Sequence, residues 1–336
     1  MLKIGLIVRA NNRGLGIQTW EFYRHIQPHK TIAVFLPNDD AECLKRFPNA
    51  KYANGITSEG LDYFADCDIV LSFETFYNDH AVERLKKARP NIQFVLQPNY
   101  EQRDGFGATA YAVPTVWNYP YWKEPKAYLP LPIDRERLKF KLRTRAKTFV
   151  HNGGMQTADD RNGTLKVLRA MEFVKSDIEL IVRFQQFPEK LYNEFSGLLK
   201  SDTRIQYDDT KYPDYWSIWE QGDVFVYPRA YAGLSLPVNE AMSCGLPVLM
   251  TDMNPQNEYL PKELLIPVTR KYPLKMFRVI EACEVDPRVI AEKIDALAGM
   301  DITKLSNQMN HVASAWSWET MLPKYNNFFN KICLQQ

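Results

Sequence analysis

YPRAYAGLSLPVNEAMSCGLPVLMTDMNPQNE, residues Tyr227 to Glu258, is the stretch around which the rest of this 336-residue chain can be arranged. It opens as the end of an apolar strand, Asp223-Val224-Phe225-Val226-Tyr227, and turns at Pro228 through a small-residue loop containing Gly233. A short helix over Pro237 to Ser243 follows, Gly245 ends it, and Pro247-Val248-Leu249-Met250-Thr251 reads as the next strand. In a parallel α/β sheet such a unit carries its loop and helix N-terminus to the carboxyl edge of the strands, where ligands bind. Free N–H groups there suit a phosphate. A plain strand-helix-strand crossover with a tight loop would read the same way. Glu240 tips the balance: it falls mid-helix beside Ala241 and Met242, and a buried carboxylate needs a partner, a need that a ribose diol would meet.

The segment GLSLPVNEAMSCGLPVLMTD resembles the donor-site signature of GT-B glycosyltransferases of the family-4 (group 1) type, E-G-(F/L)-G-L-P-x-x-E-A-M-A-x-G-x-P-V-(I/V). The resemblance implies an α/β GT-B fold: two Rossmann-like domains facing each other across a cleft. It also implies transfer of a sugar, with retention, from a nucleotide diphosphate sugar, foremost a UDP-sugar, to an acceptor hydroxyl. The second glutamate of the signature, which holds the nucleotide ribose in the family, falls on Glu240, with Tyr231, Gly233, Leu234 and Ser235 as its donor-binding neighbours. The first, which contacts the donor sugar, is replaced by Ala232. That departure keeps a second class of function in view, a non-catalytic protein that binds a nucleotide sugar or glycan.

Composition sets the outer bounds. A 45% hydrophobic content over this length supports more than one core, so two domains are expected. A net charge of +2 argues neither for nor against nucleic acid. Five scattered cysteines without a C-x-x-C pair fit reduced thiols in a cytoplasmic setting, not a disulfide framework or a zinc site. The start, MLKIGLIVRANN, reads as a first strand, and no run approaches the roughly 18 apolar residues of a membrane span. Attachment to a membrane surface is compatible with that. The sequence holds no metal-ligand constellation, and a metal-independent, cofactor-free reaction is expected.

From its start the chain alternates strands and helices. Leu2 to Val8 leads through a loop bearing Gly14 and Gly16 into a helix over Ile17 to Ile26, the opening of a Rossmann-like unit. The loop is not a full G-x-G-x-x-G; in GT-B proteins its amides approach the donor phosphates or the acceptor, so Gly14 and Gly16 are candidates for that contact. Thr31 to Leu36, Asp68 to Phe73 and Ile92 to Leu96 read as strands, with a helix over Asp79 to Ala88. Glu74, just past a strand end, is placed to orient an acceptor hydroxyl or serve as its base. His80 and Glu101 are weaker candidates. Between Tyr111 and Tyr128, aromatics crowd among prolines; they pack a domain edge or, through Trp117 and Tyr119, form an acceptor platform.

Leu129-Pro130-Leu131-Pro132-Ile133-Asp134 resembles the linker between the halves of GT-B enzymes. The expected domains are therefore residues 1–133 on the acceptor side, 134–315 on the nucleotide-sugar side, and 316–336 as a helix crossing back. After the linker, Arg135, Arg137, Lys139, Lys141, Arg143, Arg145 and Lys147 alternate at period two, which in an extended chain lines up one basic face. Such a face could track a polyanion, and it motivates a second acceptor hypothesis, a hydroxymethylated base in phage DNA, beside the glycan or envelope acceptor. The second half restarts with the strand Thr148-Phe149-Val150-His151 and the loop Asn152-Gly153-Gly154, then Arg161-Asn162-Gly163-Thr164 before a helix over Leu165 to Phe173. By the resemblance, Gly154 lies in the donor loop and a basic residue neutralises the donor diphosphate. Arg161, at a helix start, is the first candidate for that catalytic role, with Lys166 and Arg183 as further sources of charge. Glu179 to Phe184 and Arg204 to Tyr207 read as strands, Tyr212 to Gln221 as an aromatic helix, and Trp316-Ser317-Trp318-Glu319 as the start of a last helix.

Overall fold

The computed structural model describes residues 2–102, 107–154, 160–185, 189–212, 214–231 and 233–334. It divides into two units, Met1–Pro132 with Trp318–Gln336, and Ile133–Ser317. Each is a Rossmann-like α/β unit built on its own parallel sheet.

The first unit has, among the described residues, seven parallel strands: β1 (Ile4–Arg9), β2 (Lys30–Val34), β3 (Lys51–Ala53), β4 (Ile69–Phe73), β5 (Gln93–Gln97), β6 (Ala110–Val113) and β7 (Lys126–Tyr128). Their order is β3-β2-β1-β4-β5-β6-β7, with α1 (Gly14–Ile26), α2 (Ser58–Leu61) and α3 (Asp79–Ala88) among the connections. Strands β1 and β4 are apolar without alternation because both faces of the sheet are covered. At the start of α1, Gly16 is required by packing: a Cβ there would lie 2.1 Å from the Asn11 carbonyl oxygen.

The second unit carries β8 (Thr148–Asn152), β9 (Glu179–Arg183), β10 (Ile205–Tyr207), β11 (Val224–Tyr227), β12 (Val248–Thr251) and β13 (Leu265–Ile266), ordered β10-β9-β8-β11-β12-β13, all parallel. Helices α4 (Thr164–Ala170), α5 (Glu189–Ser201), α6 (Leu236–Ser243), α7 (Pro287–Leu297) and α8 (Thr303–Ala315) accompany it. An antiparallel hairpin, β14 (Arg270–Lys275) and β15 (Val279–Glu284), stands apart from the main sheet. At the centre, buried His151 donates from Nδ1 to the Val226 carbonyl (2.8 Å) and accepts at Nε2 from the Thr164 hydroxyl (2.7 Å). Burial pushes its pKa down to about 4, so the ring is neutral and this tautomer ties β8 to β11 and α4.

The last helix, α9 (Trp318–Leu334), belongs to the first unit and buries Trp318, Met321, Tyr325, Phe328, Phe329 and Ile332, a stripe at helical spacing. Phe22 meets Phe73, Trp318 and Tyr325 edge-on at 4.7 to 5.3 Å. Two polar anchors fix the register: Trp318 Nε1 donates to Glu21 (3.2 Å), and Tyr325 Oη donates to the Leu129 carbonyl (3.2 Å) while accepting from Gln97 Nε2 (2.6 Å).

Several elements differ from the sequence expectation. Among the described residues of Tyr212 to Gln221 the chain forms a 3₁₀ stretch, Tyr215–Trp219, in place of an α-helix; its N-cap Asp214 makes no side-chain cap bond, and Tyr212 is turned to Asp208. Strands β3, β6 and β7 and the hairpin were not anticipated; the first three are only three or four residues long. Tyr325→Phe should leave the Gln97 N–H and the Leu129 carbonyl unpaired in the core and lower stability by about 1–3 kcal/mol. A shift of the urea midpoint for the first unit checks this.

Candidate functional site

In the second sheet the chain runs outward from β8 to β9 on one side and from β11 to β12 on the other. The loops after β8 and β11 therefore part at the carboxyl edge and leave a crevice, the place where open α/β sheets bind ligands. Several contacts hold these loops together. The Ala230 N–H donates to the Arg161 carbonyl (2.8 Å), and Tyr227 Oη donates to Asn162 Oδ1 (3.1 Å), whose amide donates to the Gly153 carbonyl. The Arg161 guanidinium lies 4.4 Å over the Tyr231 ring, with Nε 3.4 Å from the Tyr231 carbonyl. Gly163, at φ 75°, approaches Pro228 so closely that a Cβ would sit 2.5 Å from its carbonyl oxygen. Gly154, at φ 59°, has open space where its Cβ would be.

Helices α4 and α6 both start at this edge, with opposite chemistry. At α4, Asp160 already covers the first turn: Oδ2 accepts from Leu165 N–H (3.1 Å), and the Thr164 and Lys166 amides also reach it. Burial pushes this carboxyl up to about 6. The sequence expectation that an anion is favoured beside Arg161 at a helix start is thus corrected, because the chain's own carboxylate fills that place. At α6 no carboxylate stands in the first turn and the N-cap Ser235 makes no cap bond. Among the described residues the amides of Leu234 and Leu236 have no partner. Arg229 Nη1 donates to Ser235 Oγ (2.7 Å) beside them, and Gln256 Nε2 holds the Gly233 carbonyl (3.1 Å). The positive end of α6 with Arg229 and Arg161 makes a setting for an anion.

Glu240 is buried on α6, where Oε2 accepts from Trp219 Nε1 (3.0 Å) and the Tyr215 hydroxyl also bonds to it. Burial pushes its pKa up to about 7 against the pull of these bonds and of the Arg137 charge. Arg137 itself pairs with Asp134 (2.8 Å) and lies 5.0 Å over the Trp216 ring. Arg183 is committed elsewhere: its arms bond Asp208 (2.6 Å), Gln221 and the Ile218 carbonyl, so it fastens strand ends and offers no free face to a diphosphate. Ala232 and Asp159 lie outside the described residues.

The basic alternation after the linker does not form one face. Arg143 is buried, its Nη2 donating to the Trp219 carbonyl (2.8 Å) and Nη1 to that of Glu220 (3.2 Å). Arg135 bonds Ser314 and Asn310, and Arg137 turns to Asp134. The segment has only an isolated bridge, Arg145 to Asp301, so period two has no strand to express it.

In the first unit the order reverses between β1 and β4; the chain continues from β1 into the Asn11 to Gly14 stretch and from β4 into Glu74. Glu74 adopts φ 61° and Tyr77 φ 66°, uncommon for non-glycine residues. The Glu74 amide donates to the Gln97 carbonyl (2.9 Å) and its Oε1 accepts from Asn99 Nδ2 (2.8 Å), joining the loops after β4 and β5. Tyr100 meets Trp117 edge-on at 4.3 Å, so Trp117 belongs to the same group of loops. Tyr119 instead packs on Lys126 of β7 (4.7 Å), His80 is exposed on the first turn of α3, and Glu101 is buried. Gly14 is exposed at the first residue of α1, while Gly16 serves the packing described above.

Two residues escaped the sequence reading. Arg229 stands two residues past a strand end inside the quoted segment, a signal present in the sequence. Asn152, at the end of β8, is buried with neither side-chain atom hydrogen-bonded; a polar residue closing an apolar strand is its trace in the sequence.

Residues 147–275 match a family model described as glycosyl transferases group 1. No curated protein matches the chain significantly. Among solved structures, Anabaena HepE in complex with UDP and glucose superposes with TM-score 0.70 at 9% identity, covering 98% of this chain and 100% of that one. A Rickettsia africae glycosyltransferase superposes with TM-score 0.70 at 13% identity, covering 98% of each. The lipopolysaccharide outer core galactosyltransferase WaaB gives 0.64 at 12% identity, covering 98% and 99%. Residues 147–275 match the glycosyl transferases group 1 family, and the chain has the GT-B fold of these solved glycosyltransferases.

Proposed function

We propose that the second unit binds a UDP-sugar at its switch-point crevice and that the sugar passes, with retention and without a metal, to a hydroxyl of a glycan or envelope acceptor held by the first unit. The observation that carries this is the convergence of Arg229, Arg161, the Leu234 and Leu236 amides and buried Glu240 at one edge. The cations and amides would take the charge that develops on the leaving diphosphate, the work a metal would otherwise do. Glu240, in reach of the α6 turn, would accept from the ribose hydroxyls. UDP-glucose or UDP is the ligand of HepE in its solved complexes, which makes uridine the first base to try. The dispersal of the basic segment removes the ground for a DNA acceptor and leaves the glycan reading as the better supported.

Glu74 would hold the attacking hydroxyl. Its left-handed backbone carries the carboxylate off the strand end, and the Asn99 amide fixes one oxygen. Localisation in a cytoplasm fits such a donor; among the described residues no helix is long and apolar enough to cross a membrane.

Calorimetric titration with UDP, GDP and ADP tests the donor site: UDP should bind best, and Glu240→Ala should weaken it at least about tenfold, 1.4 kcal/mol. Equal affinity in the variant would remove the ribose role. Glu74→Gln should lower kcat by about a hundredfold while leaving the KM for donor near its original value; an unchanged kcat would make Glu74 a loop support. The buried Glu240 carboxyl also predicts a pH effect. Its pKa is raised above the ordinary 4.5 to about 7, so its contribution to stability is full below about 4.5 and is lost as pH rises through about 7. Glu240→Gln should therefore gain on the original protein as pH rises, by up to about 3 kcal/mol near pH 8, measured by denaturant unfolding across that range.

A further inference from the structure

The β14–β15 hairpin is closed by Met276-Phe277-Arg278, with the Met276 N–H donating to the Arg278 carbonyl (2.8 Å). On one face of β15 Ile280 and Ala282 are buried, and Cys283, on the other face near the base, is buried as well. Its tip is the reverse: Phe277 is 68% exposed and Val279, paired with Lys275, is 66% exposed. Water does not favour two large apolar side chains held together at the end of a projecting ribbon.

Charge along the hairpin is graded. The acids Glu284 and Glu281 lie toward the base and pair with Arg270 (2.7 Å) and Lys271 (3.0 Å). The tip, residues 275–279 with sequence KMFRV, holds Lys275 and Arg278 and no carboxylate. Exposed apolar groups ringed by cations match a surface that presents anions at its face and hydrocarbon just beneath, as an acidic bilayer does. A purely apolar pocket on another protein would have no use for the cations.

We infer that this hairpin tip docks the protein on an anionic lipid surface, Phe277 and Val279 entering the headgroup boundary and Lys275 and Arg278 meeting the phosphates. The hairpin is also tied to the site already described, since the Cys283 N–H donates to the Ala230 carbonyl (2.8 Å) in the loop after β11. Phe277 lies six positions before Cys283, about 20 Å of extended chain. Docking would hold the β11 loop at about that height above the lipid, within reach of an acceptor anchored in it. The docking itself does not depend on the proposed transfer.

The test is co-sedimentation of the full chain with vesicles of phosphatidylcholine alone and of phosphatidylcholine with about a third phosphatidylglycerol. The protein should pellet with the anionic vesicles and be released by salt. Phe277→Ser with Val279→Ser, and Lys275→Glu alone, should each weaken binding at least about fivefold, the worth of one basic residue at such a surface. Their melting temperatures should not move, and neither should calorimetric binding of UDP where the parent chain shows it. Absence of sedimentation, equal sedimentation with neutral vesicles, or equal binding by the variants would overturn the inference. So would a concentration-dependent dimer that Phe277→Ser abolishes, because a second copy would then be the occupant.

Discussion

The approach of Gly163 to the Pro228 carbonyl is the constraint on which the second unit's crevice depends. Two loops that leave the sheet in opposite directions are brought to within contact there, and any side chain at 163 would force them apart, since a Cβ would stand 2.5 Å from the oxygen and φ is 75°. Given that contact, the Ala230–Arg161 hydrogen bond closes, and the Arg161 guanidinium is laid on Tyr231. The loop after β11 is braced from its other side by Thr251 Oγ1 on the Arg229 carbonyl (2.6 Å) and by Cys283 of the hairpin. A cation and an aromatic ring are thereby fixed at the edge before any ligand arrives, which is what preorganised electrostatic stabilisation requires.

The same edge shows how buried charge selects between two helix starts. Asp160 spends its carboxylate on the amides of α4, so a second anion at that place would meet like charge. Nothing of the kind stands at α6, whose first turn contains Pro237 and no acid. The dipole, the unpartnered amides and Arg229 then act in one direction. The single carboxylate of α6, Glu240, lies a full turn further on, with Trp219 and Tyr215 bonded to it, far enough along the helix to leave the start positive.

Sequence periodicity revealed the sheets well because parallel strands covered on both faces are uninterrupted apolar runs; Val224 to Tyr227 and Ile69 to Phe73 are buried at every position. The short edge strands β6 and β7 were hidden among prolines and aromatics, where no periodicity can build up over three or four residues. The basic alternation from Arg135 to Lys147 misled for a related reason. Period two has meaning only in a strand, and this segment is irregular chain in which Arg135 and Arg143 turn to partners distant in sequence and Arg137 turns back to Asp134. Arg183 was legible as a cation needing a partner, but the identity of that partner, Asp208 across β9 and β10, depends on strand pairing that the sequence does not display. Glu240 was legible because its neighbours on the helix are apolar.

The two units share a topology and differ in what their edges offer. Each reverses strand order once, between β1 and β4 and between β8 and β11, and so each has one crevice at its carboxyl edge. In the first unit the strand-end cation Arg9 is neutralised by Asp39 at 2.6 Å, with both side chains buried. After β4, Glu74 stands on a left-handed backbone with Asn99 of the next loop donating to its carboxylate. In the second unit Arg161 and Arg229 stand at the corresponding edge with the bare amides of α6. Hydroxyl groups donate and accept at once and suit the first edge; phosphates only accept and carry charge, and suit the second. The two edges of a repeated fold thus differ in chemistry, and the proposed transfer from a charged donor rests on that difference.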